Sequence, residues 1–289
     1  MIKPNVSVIM ITYGHENFIE EAINSVMMQE CDYEIELIIA NDCSPDDTDN
    51  IVVEMLKTHK KASWIKYIAH KKNIGMIANN NFALNQAKGK YIAICEGDDY
   101  WIDPLKLQKQ VDFLESNPDY TFSMGRVDML IEKTGEIRRV KEHVDPNKSE
   151  TYTLRDYLKN PFSQTSSFVF RNSSEDFPEW LHKVHAGDQS LVIIKTGKEG
   201  KIKYHKDLFS IYRLNVNSIS FNPDYVNLRN KGECFLNNIN AHTEYRFNSI
   251  ITFRKMINRV YYYTNSKNLF VKIFSKILVI VMMKIITKM

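Results

Sequence analysis

Over the first hundred residues, short apolar runs alternate with stretches of helical period. Residues 6–12, 36–40, 65–69 and 91–95 are too short for buried helices and rich in β-branched side chains, so each predicts a strand. Between the first two, Phe18, Ile19, Ala22, Ile23, Val26 and Met27 recur at helical spacing, which predicts a crossover helix over about residues 16–29. Ser44-Pro45-Asp46-Asp47 places a capping serine, a first-turn proline and an acidic residue three after the cap. That pattern predicts a helix carrying Ile51, Val52, Met55 and Leu56. Residues 78–87 predict a third helix. Farther on, residues 128–140 read as a hairpin turning at Lys133-Thr-Gly135, residues 164–171 as a strand, and Gly187-Asp188 as the start of a helix through Leu191, Ile194 and Lys195. Strand and helix repeated in this way predict right-handed crossovers. The expected class is α/β, a mixed, mainly parallel sheet with helices on both faces. After Arg213 the pattern turns to polar and aromatic helices, so the chain divides into a domain over 1–215 and a helical C-terminal region over 216–289.

Composition changes this picture in two places. At 289 residues, with 44% hydrophobic and 11% aromatic content, the chain can bury a large core and is not disordered. Charge is unevenly placed. Up to Glu244 there are 29 basic against 35 acidic side chains, and after it nine basic and none acidic, so a body of −6 carries a tail of +9. The tail has a different partner from the body. Cys31, Cys43, Cys95 and Cys234 lack zinc-type spacing, and three of them read as interior, which suits a reducing cytosol. The opening Met1-Ile-Lys-Pro-Asn5 leads straight toward a strand and predicts no export signal. His70, His143, His182, His185 and His205 show no ligand spacing and predict surface positions.

Candidate chemistry gathers at the predicted strand ends. Thr12-Tyr13-Gly14 follows the first strand, Asn41-Asp42 the second, and Glu96-Gly97-Asp98-Asp99 the fourth. Ligands of such sheets bind at the carboxyl ends of the strands. Three carboxylates within four residues concentrate charge that a cation or sugar hydroxyls would relieve. Taken singly, Tyr13 and Asp42 are ordinary loop polarity; their coincidence on one edge points to a nucleotide pocket.

The runs Val6-Ser-Val-Ile-Met-Ile-Thr12-Tyr13, Leu37-Ile-Ile-Ala-Asn-Asp42-Cys-Ser44 and Ala87-Lys-Gly-Lys-Tyr-Ile-Ala-Ile-Cys-Glu96-Gly-Asp98-Asp99-Tyr-Trp101 resemble, in that order, the family 2 inverting glycosyltransferases. The similarity runs over about residues 4 to 215. It implies a single-domain, nucleotide-sugar-binding fold of the GT-A type, a nucleotide-sugar donor, most simply a UDP-sugar, and Mg²⁺ or Mn²⁺ as cofactor. Asp42 then accepts the imide hydrogen of a pyrimidine base, Tyr13 stacks on that base, and Thr12 lies with them at the donor. Glu96-Gly97-Asp98 stands where the family carries Asp-any-Asp, which implies a metal role for Asp98 and a ribose or metal-shell role for Glu96, one methylene longer than the family's aspartate. Asp99 joins the metal or caps the turn before Trp101. Asp188 is the implied base that takes the acceptor's proton, although an aspartate at a helix start is also a good N-cap. Arg213 matches an arginine implied to contact phosphate or a loop. Asn73-Ile-Gly75 resembles the family's loop beside the donor and is equally well an ordinary turn.

Residues 269–289 predict a basic amphipathic helix. The longest uncharged run, Ile277 to Met283, is seven residues, against about 18 for a membrane span. Lys272, Lys276, Lys284 and Lys288 fall within one arc of about 160° at helical period, interrupted by Ile280 and Met283. Such a helix suits peripheral contact with an anionic membrane, with Phe270, Phe274 and Leu278 dipping inward, or else docking on the body or a second subunit. Nucleic acid is not an expected partner, because the body is net negative.

The expected protein is therefore a metal-dependent enzyme at the inner face of a bacterial membrane, transferring sugar to a glycan or lipid-linked acceptor. Two rivals stay open. A nucleotidyltransferase shares the acidic metal ligands but normally adds a glycine-rich cationic loop, which Thr12-Tyr13-Gly14-His15-Glu16 is not. A catalytically dead nucleotide-sugar-binding or membrane-scaffold protein would keep the pocket without the chemistry.

Overall fold

The computed structural model describes residues 5–140, 149–162, 164–172, 178, 180–181, 187–197, 199–215, 233–265 and 269–289, with the side chains of 187, 188, 261, 262 and 265 excepted. Strands β1 (Val6–Thr12), β2 (Ile35–Asn41), β3 (Ile65–Ala69) and β4 (Tyr91–Ile94) form a parallel block in the order β3-β2-β1-β4. The sheet continues through β9 (Val169–Arg171), antiparallel to both neighbours, then β6 (Tyr120–Ile131), β10 (Lys201–Leu214) and β5 (Tyr100–Trp101). The longest ladders, β1 with β2 and β6 with β10, are parallel. β7 (Glu136–Arg139) closes the expected hairpin on β6, turning at Gly135 with φ +68°. β8 (Thr151–Thr153) adds to β10.

Side-chain alternation divides the core in two. Val8, Met10, Leu37, Ile39, Tyr91 and Ala93 face one side, while Ile9, Ile38, Ala40, Ile92 and Ile94 face the other. Against the first side pack α1 (Ile19–Met27), α2 (Thr48–Thr58) and α4 (Lys106–Ser116), through side chains such as Ile23, Val52 and Val111. Against the second pack α3 (Met76–Gln86), α5 (Leu154–Lys159), α6 (Gly187–Thr196), α7 (Glu233–His242), α8 (Asn248–Tyr262) and α9 (Leu269–Ile286). The helical C-terminal region shares this second core through Leu236, Ile239, Ile250, Ile257, Met282 and Ile286.

Several expectations change. α2 begins at Thr48, because Asp46 accepts from the Thr48 N–H and hydroxyl while Ser44 bonds Asn41 instead of capping. Of the four cysteines only Cys95 is buried, and Cys43 and Cys234 are exposed. His205 is half-buried, 3.0 Å from the Ser123 hydroxyl, and burial pushes its pKa down to about 4. Leu278 turns toward the protein: α9 docks through Ser275, Met282 and Ile286, flanked by Leu278, Val279 and Met283. Its opposite face leaves Phe270, Phe274, Ile277 and Ile280 exposed. Among the described residues no helix is long and apolar enough to cross a membrane.

α4 escaped the sequence reading, and a buried lysine opens it. The Lys106 amine lies 4.2 Å from the Trp101 ring centre and makes no hydrogen bond among the described residues. Burial pushes its pKa from the usual 10.5 down to about 7. The folded state thus prefers the neutral amine while the unfolded chain stays protonated, so its cost to stability grows as pH falls from 10.5 to about 7 and is constant below. Lys106→Met is therefore expected to raise the melting temperature more at pH 6 than at pH 9, as read by thermal unfolding at both values.

Candidate active site at the carboxyl ends of the central strands

The chain leaves β1 toward β2 on one side and later returns to place β4 on the other, so the strand order reverses between β1 and β4. Crevices form at such points, beyond the carboxyl ends of the strands. Two backbone bonds carry the register past the strands: the Asp42 N–H donates to the Thr12 carbonyl at 2.9 Å, and the Gly97 N–H donates to the Ile11 carbonyl at 3.0 Å. Thr12, Asp42 and the Glu96–Asp99 turn are thereby held side by side.

Loop bonds fix the rest of this edge. The N–H groups of Gly14, His15 and Glu16 donate to the side chains of Ser44, Thr48 and Asp46 at 3.0 to 3.1 Å, and Glu16 accepts from the Asp47 N–H. Tyr13 stands half-exposed on this tied loop. Asp42 is buried, and its two oxygens accept the N–H groups of Ile74 at 2.7 Å and Gly75 at 2.9 Å. Gly75 adopts φ +90°, a conformation glycine takes without strain, at the entry to α3. The Asn73–Gly75 loop is thus fastened directly to Asp42, which leaves further lone pairs on its oxygens for a ligand.

The acidic turn separates its carboxyls. Glu96 and Asp98 are half-buried, whereas Asp99 is buried and its Oδ1 accepts the Arg213 N–H at 2.9 Å. Burial, with the charges of Asp98 and Glu96 added to it, holds the Asp99 carboxyl well above the usual range. Of the two carboxylates expected at a metal, Asp98 is left at the crevice and Asp99 is taken into the sheet as a tie between β10 and the turn. Arg213 likewise differs from a free phosphate contact. Its guanidinium pairs with Glu132 at 2.5 Å and with Glu21, and lies 4.6 Å from the Tyr100 ring centre and 5.1 Å from that of Phe18. With two carboxylates already on it, this side chain joins α1, the end of β6 and the turn.

His15 was not singled out from the sequence. Its Nε2 lies 3.8 Å from the Asp98 carboxylate. Its buried Nδ1 and the buried Thr12 hydroxyl make no hydrogen bond among the described residues. A Cβ on Gly97 would come within 2.9 Å of both, so this glycine lets the turn close over Thr12 and His15. A glycine between two carboxylates was the available signal. Asp188 is the second residue of α6, and its carboxyl lies outside the described residues, as do His182 and His185.

The family model for glycosyl transferase family 2 matches residues 7–177. An uncharacterized protein of Mycobacterium tuberculosis is 34% identical over 189 residues, covering 62% of this chain and 53% of its own. The chain thus spans about half the length of such curated relatives. The GalNAc(5)-diNAcBac-PP-undecaprenol beta-1,3-glucosyltransferase of Campylobacter jejuni is 27% identical over 73% of this chain and 65% of its own. Among solved structures, S. aureus TarS 1–349 in complex with UDP-GlcNAc superposes with a TM-score of 0.65 at 20% identity, covering 92% of this chain and 76% of that one. Mannosyltransferase PcManGT from Pyrobaculum calidifontis, in complex with GDP-Man and Mn²⁺, gives 0.57 at 20% identity, covering 82% and 63%. Both show the GT-A fold.

Two variants test the division of labour in the turn. Asp99→Ala strands the buried Arg213 N–H and should cost about 1–3 kcal/mol in urea unfolding, whereas Asp98→Ala, at the crevice, should cost far less. Gly97→Ala should destabilise by about 1–3 kcal/mol through the clash with Thr12 and His15.

Proposed function

The chain belongs to glycosyl transferase family 2, and from that membership we propose that it transfers a sugar, with inversion, from a UDP-sugar to an acceptor hydroxyl of a polysaccharide or surface glycan. The observation that carries the reading is the fastening of Thr12, Asp42 and the Glu96–Asp98 turn to one edge by the Asp42 and Gly97 backbone bonds. Tyr13 offers an exposed ring to the base, and Asp42, already aligned by the 74–75 loop, offers its remaining lone pairs to the imide hydrogen. Glu96 is assigned to ribose.

The residues fit a divalent cation at Asp98. Glu96 and Asp98 stand half-buried in one turn, and unpartnered Thr12 and His15 atoms lie beside them. Among the described residues no group of three His, Cys, Asp or Glu side chains could hold a metal alone, so Asp98 would share Mg²⁺ or Mn²⁺ with donor oxygens. When bound, the ion supplies compensation for the charge that develops on the leaving diphosphate. Asp188, at the start of α6, is assigned to take the acceptor's proton as its oxygen attacks the anomeric carbon from the opposite face.

The relative's name carries a polyprenyl-diphosphate-linked acceptor, and we infer a lipid-linked or membrane-proximal glycan acceptor here too. Residues 269–289, basic and apolar on their exposed face, bring the enzyme to the inner face of an anionic membrane.

Donor hydrolysis tests the reading. The wild type should slowly hydrolyse a UDP-sugar with Mn²⁺, and Asp98→Asn should lower that rate at least about a hundredfold. Asp188→Ala should retain thermal stabilisation by UDP and Mn²⁺ while losing transfer. No stabilisation by any nucleotide sugar in the wild type would refute the donor assignment.

A further inference from the structure

The His15 ring stands at the crevice with its buried Nδ1 making no hydrogen bond among the described residues. Its Nε2 lies 3.8 Å from Asp98 Oδ2. That separation exceeds the roughly 2.7–3.2 Å of a hydrogen bond to oxygen. Two atoms that each sit about 2.1 Å from one ion are about 3.0 Å apart when adjacent in an octahedron and about 4.2 Å apart when opposite. The observed separation falls between these, so by distance the pair spans one cation. The two side chains are 20% and 21% exposed, which keeps both within reach of a donor in the crevice.

Backbone bonds fix the place of His15. Its N–H donates to the Thr48 hydroxyl at 3.0 Å, and its carbonyl accepts the N–H groups of Phe18 at 2.9 Å and Ile19 at 2.8 Å, at the entry to α1. The ring stands edge-on to Phe18, with 6.4 Å between centres. From the other side Gly97 closes in: a Cβ there would come within 2.9 Å of His15 Nδ1 and of the Thr12 hydroxyl oxygen. Buried polar atoms are rarely left unsatisfied, and strain, catalysis or an ion accounts for those that are. An imidazole that binds a metal through one nitrogen carries its proton on the other and gives it to an acceptor. The buried Thr12 hydroxyl, which makes no hydrogen bond among the described residues, is an acceptor at hand for that proton.

We propose that His15 is a second protein ligand of the cation at Asp98, bound through Nε2, so that the site mixes nitrogen with oxygen. This rests on the cation reading of Asp98 and narrows it. Oxygen ligands alone suit Mg²⁺, whereas an imidazole favours transition ions, with Co²⁺ held more tightly than Mn²⁺. The enzyme thus takes Co²⁺ and Mn²⁺ in preference to Mg²⁺.

The test uses the full chain with saturating UDP and needs no turnover. Pulsed electron paramagnetic resonance of bound Mn²⁺ should show coupling to a histidine nitrogen, identified by its change when histidine carries the heavy nitrogen isotope. The coupling should vanish in His15→Gln. By calorimetric titration, His15→Gln should weaken Co²⁺ binding about tenfold or more and Mg²⁺ binding by less than about threefold. Mn²⁺ bound by the wild type without nitrogen coupling overturns the role of His15 and leaves the cation at Asp98 standing. Coupling that survives in His15→Gln comes from another histidine and overturns it too. Equal losses for Co²⁺ and Mg²⁺ do the same, because a residue that only shapes the turn would weaken every ion alike. If His15→Gln does not fold, the isotope-labelled wild type decides alone. No Mn²⁺ bound beyond what UDP holds by itself refutes the cation reading, and the proposal with it.

Discussion

Three carboxyls within four residues at the tip of a buried strand repel one another, and the site exists because the fold gives them different surroundings. Asp99 is drawn into the sheet, where the Arg213 N–H satisfies one oxygen and burial favours the protonated form. Asp98 stays at the crevice beside His15. The buried member fixes the path of the chain as it leaves β4 at the centre of the sheet and reaches β5 on the far side of β10. That tie adds to the Gly97 N–H bond to the Ile11 carbonyl, which holds the start of the turn beside Thr12. The polar Trp101 nitrogen, bonded to the Ser166 carbonyl at 2.8 Å, seals the same crossing from the next residue but one.

The loops around Asp42 are built on a similar principle, with side chains serving backbone groups of neighbouring loops. Asp42 holds the 74–75 loop, while Ser44, Asp46 and Thr48 take three successive N–H groups of the 14–16 loop. Each such bond contributes about 0.5–1.5 kcal/mol net, so together they restrain loops that would otherwise be the most mobile part of the molecule. A pocket restrained before its ligand arrives loses less entropy on binding. Arg213 extends the same economy: one guanidinium gathers Glu21, Glu132 and two aromatic rings behind the acidic turn.

The C-terminal helix docks on the body by one face and keeps a second apolar face outside the core. One face completes the core through Met282 and Ile286, and the other displays Phe270, Phe274, Ile277 and Ile280 among lysines. Because the helix is apolar over most of its circumference, docking uses only part of its apolar surface. Whatever meets that exposed face meets a helix packed on the core through Met282 and Ile286.

By itself the sequence determined the parallel block, its crossover helices and the strand ends where Tyr13, Asp42 and Asp98 stand, because period-2 and period-3.6 hydrophobicity are local properties that buried strands and covering helices must obey. The hairpin at Gly135 was legible for the same reason. Only the tertiary structure decided which carboxyl is buried, since Asp98 and Asp99 are adjacent and chemically identical until β10 arrives from more than a hundred residues away with the Arg213 N–H. It also decided that Arg213 is occupied by Glu21 and Glu132, that His15 lies beside Asp98, and that Lys106 is buried under Trp101, since each depends on contacts between distant segments that no local pattern records.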